Sequence, residues 1–207
     1  MADRVREPYA APGQQREAAM MGMYIFLASE TMLFSGLFLV ALHLRLEHAP
    51  EVVAASRQMH YFIGAANTAL LLTSSLLVAL AVEAAREGRA RPAVLATAIL
   101  LGLGFLALKA VEYRMEYAEG ILPLPGAVTE FSSPARHAFM NLYLIATALH
   151  AVHLSIGLGL LATLAVRLLR GTLPLPERSI VMVNAGLYWH LVDVIWIFLY
   201  PVFYLAR

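Results

Sequence analysis

Five stretches of this chain stay apolar for about twenty residues or more, the length a helix needs to cross the hydrocarbon core of a bilayer. They run from about Met21 to His43, Tyr61 to Val82, Ala93 to Tyr117, Ala138 to Val166 and Ser179 to Leu205. In lipid, every backbone N–H and C=O must be satisfied within the structure. That leaves helices or closed barrels, and these runs lack the alternation of barrel strands. The expectation is therefore an all-α fold: a polytopic membrane protein of five transmembrane helices, antiparallel because the linkers are short. Residues 1–20 read as a polar surface tail with no apolar core of the signal-peptide kind. Residues 21–207 read as one transmembrane domain without internal repeats. Composition agrees, since 60% of the 207 residues are hydrophobic and only 14% are charged. A typical soluble domain is about 45–50% apolar.

The charge balance excludes one class of partner. With 15 Lys and Arg against 14 Asp and Glu, no basic field argues for nucleic acid. The absence of cysteine removes disulfides, iron–sulfur clusters, thiolate nucleophiles and covalently attached haem. No phosphate loop, nucleophile triad or hydrolase carboxylate pair is visible. Arginines set an expected orientation. Arg4, Arg6, Arg16, Arg86, Arg89, Arg91, Arg167, Arg170 and Arg178 fall on one side, and Arg45, Arg57, Arg114, Arg136 and Arg207 on the other. The richer side should be cytoplasmic, which puts the N-terminus inside and the C-terminus outside.

The informative residues are the ionisable ones inside the spans. Glu30 lies roughly 13 Å into the first span, and at 1.5 Å per residue it falls near half-depth with His150, His190 and Asp193, while His153 falls a little nearer the cytoplasm. Intramembrane ionisable groups are expensive unless they face other helices or a wet or headgroup-lined cavity. His150 and His153, and likewise His190 and Asp193, are three apart, so each pair shares a helix face. Lys109 and Glu112 have the same spacing and read as a local ion pair near the outer end of the third span. Trp189, Asp193 and Trp196 recur at helical spacing, as expected of an interhelical face. Asn67, Thr68, Thr73, Ser74 and Ser75 read as packing residues, as do Gly102, Gly104, Gly157 and Gly159, because small and polar side chains let membrane helices approach and bond.

Five strings, in collinear order over about residues 20–205, resemble subunit III of the haem–copper terminal oxidases. FLASETMLFSGLFLVALH (Phe26 to His43) is similar to the family's S-E-V-x-F-F-x-G-x-F helix, and ANTALLLTSS, within Ala65 to Ser75, to its L-N-T-x-x-L-L-x-S-S run. LKAVEYRMEYAEGI (Leu108 to Ile121) is similar to its Q-x-x-E-Y segment. ALHAVHLSIGLGLL (Ala148 to Leu161) is similar to its G-x-H-G-x-H-V-x-x-G helix, with Ala151 for the Gly between the histidines. LYWHLVDVIWIFLY is similar to its W-H-F-V-D-V-V-W signature. The resemblance is to the short five-helix bacterial form, without the first two helices of long members. It implies a subunit with no redox centre of its own, packed on the catalytic subunit I that holds haems and copper, beside other oxidase subunits and membrane lipids. It also implies that the carboxylate at Glu30 faces a lipid-containing cleft, with bound phospholipid. On this reading Glu30, His43 and His190 are candidate lipid- or proton-related residues. His150, His153, Asp193, Asn67, Lys109 and Glu112 form a structural polar network, and there is no catalytic or metal site.

The implied function is subunit III of a proton-pumping, cytochrome c-fed oxidase in a bacterial inner membrane, sustaining proton uptake and the stability of subunit I. Relatives of that function are subunit III of a quinol oxidase and the accessory subunit of a nitric oxide reductase. A different class of reading is a small proton channel or transporter using Glu30, His190 and Asp193, although repeats and broken helices are not evident. Histidines on facing helices also hold b-type haem and metals. Buried histidines more often serve as neutral hydrogen-bonding groups, and the resemblance points the same way. For Glu30 and Asp193, a proton relay and an interhelical tie are the competing readings, with His190 or a donor on another helix as the expected partner of Asp193.

Overall fold

The computed structural model describes residues 9, 11–121 and 133–206, which form six helices and, among the described residues, no strand. α1 spans Pro12–Glu47, α2 Ala49–Arg57, α3 Tyr61–Arg86, α4 Pro92–Ala118, α5 Pro134–Leu169 and α6 Ser179–Tyr204. All except the short α2 are long and apolar enough to cross a membrane. The chain is a five-span antiparallel bundle, as the apolar runs predict. Most of the expected tail before Pro12, and residues 122–132 of the Pro- and Gly-rich linker, lie outside the described residues, as does 207.

The helices outrun the apolar stretches. α1 and α5 have 36 residues each, about 54 Å at 1.5 Å per residue, against a hydrocarbon core of about 30 Å. The surplus of α1 lies at its start, where the polar segment is helical from Pro12 onward. Proline suits the first turn because its missing N–H needs no partner there, and the Gln, Arg, Glu, Ala and Met residues that follow are good helix formers. Proline also stands in the first turn of α2, α4 and α5. The far ends of α3, α4 and α5 close on Gly88, Gly120 and Gly171, all at positive φ (71°, 67° and 63°). The N–H after each glycine returns to a late carbonyl of its helix: Arg89 to Ala84 at 2.7 Å, Ile121 to Glu116 at 2.9 Å, Thr172 to Arg167 at 3.0 Å. A side chain would strain that left-handed backbone.

The bundle is organised around α6, which packs on α1, α2, α3 and α5 and buries Trp189, Trp196, Phe203 and Tyr204. α3 packs on α4, and α4 on α5. α1 rests on α5 and α6 and is the least buried span, with Met21, Met32, Leu39 and Leu46 exposed. Lipid offers no hydrophobic drive between helices, so close approach matters. The Trp189 ring is slotted between Gly102 and Gly157. A Cβ on Gly102 would lie 2.9 Å from Trp189 Cη2, and one on Gly157 2.9 Å from Trp189 Cε3. Gly159, two residues further along α5, faces open space among the described residues.

Candidate functional site

The ionisable residues inside the spans sort into two hydrogen-bonded groups and a set of buried polar side chains between them. The first group joins α1 to α5. Glu30 Oε2 lies 2.7 Å from His153 Nε2, with the two side chains 16% and 12% exposed. His153 Nδ1 lies 2.8 Å from the Leu149 carbonyl, so Nδ1 carries the proton and donates it. The contact between Nε2 and the carboxyl therefore holds one proton, on whichever partner, and the pair is neutral overall in either state. Tyr188 of α6 donates to the His153 carbonyl at 3.0 Å, and the Phe34 ring meets the imidazole edge-on at 5.3 Å. Three helices thus position this pair.

Tyr188 and Phe26 also wall a cavity of about 710 Å³ between α1, α5 and α6, which opens toward the side where α1 begins. Its depth is lined by Met23, Ile156, Leu160 and Leu164, and its rim by Arg16, Arg167, Arg178 and Glu177. A second cavity of about 990 Å³ flanks the other side of α1, sharing Arg16 and adding Arg86. The first half of α1 is thus bordered by open space on both sides, with Asn184 of α6 donating to its Ala19 carbonyl at 3.4 Å. An apolar shaft under a basic rim suits an amphiphile with an anionic head.

The second group lies toward the far end of α4. Lys109 Nζ donates to Glu112 Oε2 at 3.0 Å, Tyr143 Oη at 2.8 Å and Tyr204 Oη at 2.5 Å. Tyr204 donates to Glu112 Oε1 at 2.6 Å, and Tyr143 reaches both Glu116 oxygens at 3.1 Å. The ion pair of Lys109 and Glu112 is therefore no isolated surface pair. It is the centre of a fully buried cluster drawn from α4, α5 and α6. The ammonium also lies 4.8–5.4 Å from the ring centres of Tyr113, Tyr143, Trp196 and Tyr204, an aromatic cage suited to a cation.

Between these groups lie side chains with few partners. Asn67, His150, Asp193 and Trp189 Nε1 are buried, with no hydrogen-bond partner among the described residues. His150 sits between the rings of Phe105 and Trp196, at 5.6 and 5.3 Å. The Ser75 hydroxyl of α3 lies beside Asp193 and 2.6 Å from His190 Nδ1, so it stands between the two side chains. Trp196 Nε1 donates to Thr68 at 3.0 Å, and Ser74 donates to the Ala98 carbonyl at 3.0 Å. His43 is exposed near the end of α1 and joins neither group.

The structure thus brings Glu30 to His153 and separates both sequence-adjacent pairs. His150 and His153 diverge to different neighbours, and His190 turns to α3 rather than to Asp193. Among the described residues, no three His, Asp or Glu side chains converge as a metal would require. Sequence reasoning missed Glu116, Tyr143, Tyr204 and Tyr188. Glu116 had a signal in its spacing, since Lys109, Glu112 and Glu116 fall on one helical stripe, whereas the tyrosines are distant in sequence and had none.

Comparison with known proteins places this chain in a family. The model of the family described as cytochrome c oxidase subunit III matches residues 13–206. The chain is 31% identical over 191 residues to cytochrome c oxidase subunit 3 of Gallus gallus, covering 88% of this chain and 67% of that protein. Over the same shares, it is 32% identical to the Cyprinus carpio protein and 33% identical to that of Danio rerio.

Proposed function

Because the chain belongs to the cytochrome c oxidase subunit III family, and is thereby a multi-pass membrane component of an oxidase complex, we propose that it serves as the non-catalytic subunit III of a proton-pumping aerobic oxidase. In that role it stabilises subunit I and sustains its proton uptake while holding phospholipid. Haem and copper belong, on this reading, to the partner subunits, and electrons come from cytochrome c. The home membrane is a bacterial inner membrane, with the start of α1 in the cytoplasm. Arg16, Arg86, Arg89, Arg91, Arg167, Arg170 and Arg178 lie on that side among the described residues, in keeping with the positive-inside bias.

One observation carries the lipid part: the cavity between α1, α5 and α6, apolar in depth and ringed by Arg16, Arg167 and Arg178. Each arginine near a membrane surface attracts an anionic headgroup by about 1 kcal/mol. Acyl chains filling the shaft would reach Phe26 and Tyr188, next to the Glu30–His153 pair. A filled shaft braces α1 against α5 and α6 where the protein itself leaves space. The test is the intact oxidase carrying Arg16, Arg167 and Arg178 all changed to Gln. Lipid retained by the purified complex should fall, and the number of turnovers before inactivation should drop, with haem content unchanged. Full lipid retention in that variant would remove the cavity from the proposal, and a loss of haem would contradict the indirect role.

A further inference from the structure

The cluster around Lys109 does not balance as drawn from ordinary charge states. Its groups make six contacts: Lys109 to Glu112, Tyr143 and Tyr204; Tyr204 to Glu112; Tyr143 to Glu116; and Tyr143 to Tyr204 at 3.0 Å. Each contact needs one hydrogen. The ammonium supplies three and each phenol one, so with both carboxyls ionised one contact has none. Either the two phenol oxygens would face each other without a proton, or one phenol would face its carboxylate, Glu116 or Glu112, without one. The charge is also unbalanced, with two carboxylates and one cation among residues that are 0–2% exposed. An uncompensated charge in such a place is far costlier than a neutral, hydrogen-bonded acid. One additional hydrogen, on a carboxyl, repairs both defects at once. Glu116 then donates to Tyr143, Tyr143 to Tyr204 and Tyr204 to Glu112, while Lys109 donates to three acceptors.

We infer that this cluster is a proton-binding site that holds one proton on a row running from Glu116 through Tyr143 and Tyr204 to Glu112. The row has two ends and one occupant. When the Glu116 proton passes to Tyr143 Oη, the Tyr143 proton to Tyr204 Oη and the Tyr204 proton to Glu112, Glu116 is left as the carboxylate and Glu112 as the acid. No proton is gained or lost, and the occupant has moved about one turn along α4, roughly 6 Å. Lys109 keeps its three contacts in both states and sets the occupancy at one, because it neutralises only one of the two carboxyls. The aromatic cage holds the ammonium in place. Other titratable groups border the row. Tyr113 is tied to Thr147 at 2.5 Å, and His150 lies within reach of the Lys109 charge. Glu119, one turn beyond Glu116 and about half exposed, pairs with His60 at 3.4 Å. Glu119 and His60 are thus the nearest groups through which the site exchanges with water. This goes beyond the proposed role of the subunit, which concerns the opposite end of the bundle.

Difference infrared spectroscopy tests the inference by reading the C=O stretch of neutral carboxylic acids. The sample is the intact complex, with this chain carrying Glu30→Gln and Asp193→Asn to remove the other intramembrane acids. A band that shifts in D2O is expected. Because a single remaining carboxylate pairs with Lys109 and needs no proton, either Glu112→Gln or Glu116→Gln alone should abolish that band. Lys109→Met should roughly double it, since both carboxyls must then be neutral. Should these variants fail to assemble, side-chain 13C-labelled glutamate incorporated only into this chain keeps the question open to measurement, because the label must shift the band. A background without such a band, or a band that survives in both Gln variants, overturns the inference.

Discussion

Gly157 and Gly159 stand two residues apart on α5 and should respond to alanine with opposite signs. A Cβ on Gly157 would come within 2.9 Å of Trp189 Cε3, 3.1 Å of Cζ3 and 3.3 Å of Tyr188 Cε1, whereas one on Gly159 meets nothing within 4 Å among the described residues. The Trp189 ring cannot retreat, because Gly102 of α4 lies against its other edge. Overpacking a close-packed site costs about 1–3 kcal/mol. Alanine gains about 1 kcal/mol over glycine in helix propensity at either position. The propensity gain is common to both variants, so their difference isolates the packing cost, about 1–3 kcal/mol, with Gly159→Ala more stable than wild type. The assay is equilibrium unfolding of the purified chain in mixed micelles, titrated with a denaturing detergent and followed by tryptophan fluorescence, which reports on α6. Gly157→Ala combined with Trp189→Phe should recover part of the loss, because the smaller ring reopens the slot and contacting sites couple. Equal stability of the two alanine variants would refute the slot.

Lys109→Met leaves Glu112 and two phenols without their shared donor. It should destabilise the bundle by about 3–5 kcal/mol, as removal of one member of a buried ion pair does, and Glu112→Gln in the same chain should return part of that, measured in the same titration. At Glu30 the side-chain chemistry can be read by substitution. Gln retains an N–H that can be given to His153 Nε2, so Glu30→Gln should stay near wild-type stability. Glu30→Ala leaves the ring nitrogen unpaired at a cost of about 1–3 kcal/mol, and equal losses would show that the contact is ionic in origin. Gly171 has a φ of 63° and, among the described residues, open space around it. Its change to Ala therefore tests backbone strain alone, with an expected loss of about 1–2 kcal/mol and an unaltered helical circular dichroism spectrum.

The five spans were legible because membrane physics reads length and apolarity, both of which are local. Met21 to His43 or Tyr61 to Val82 must be helical whatever surrounds them, since lipid offers their backbone no other partner. The helix starts at Pro12, Pro92 and Pro134 and the stops at Gly88, Gly120 and Gly171 rest on local chemistry too, but apolarity alone set the expected spans, so α1 and α5 begin before the runs at Met21 and Ala138. What the polar residues do was decided by tertiary packing. Residues three apart on a helix differ by about 60° in direction, enough to send His150 into the space between Phe105 and Trp196 and His153 across to Glu30 on another helix. Glu116 sits among charges that look like a helix leaving the membrane. It is buried where Tyr143 of α5 meets it, and Tyr143 is held in turn by Tyr204 of α6. A hydrogen bond forms only where two groups meet within about 3 Å, and residues 27 to 123 positions apart in the chain meet only once the helices have packed.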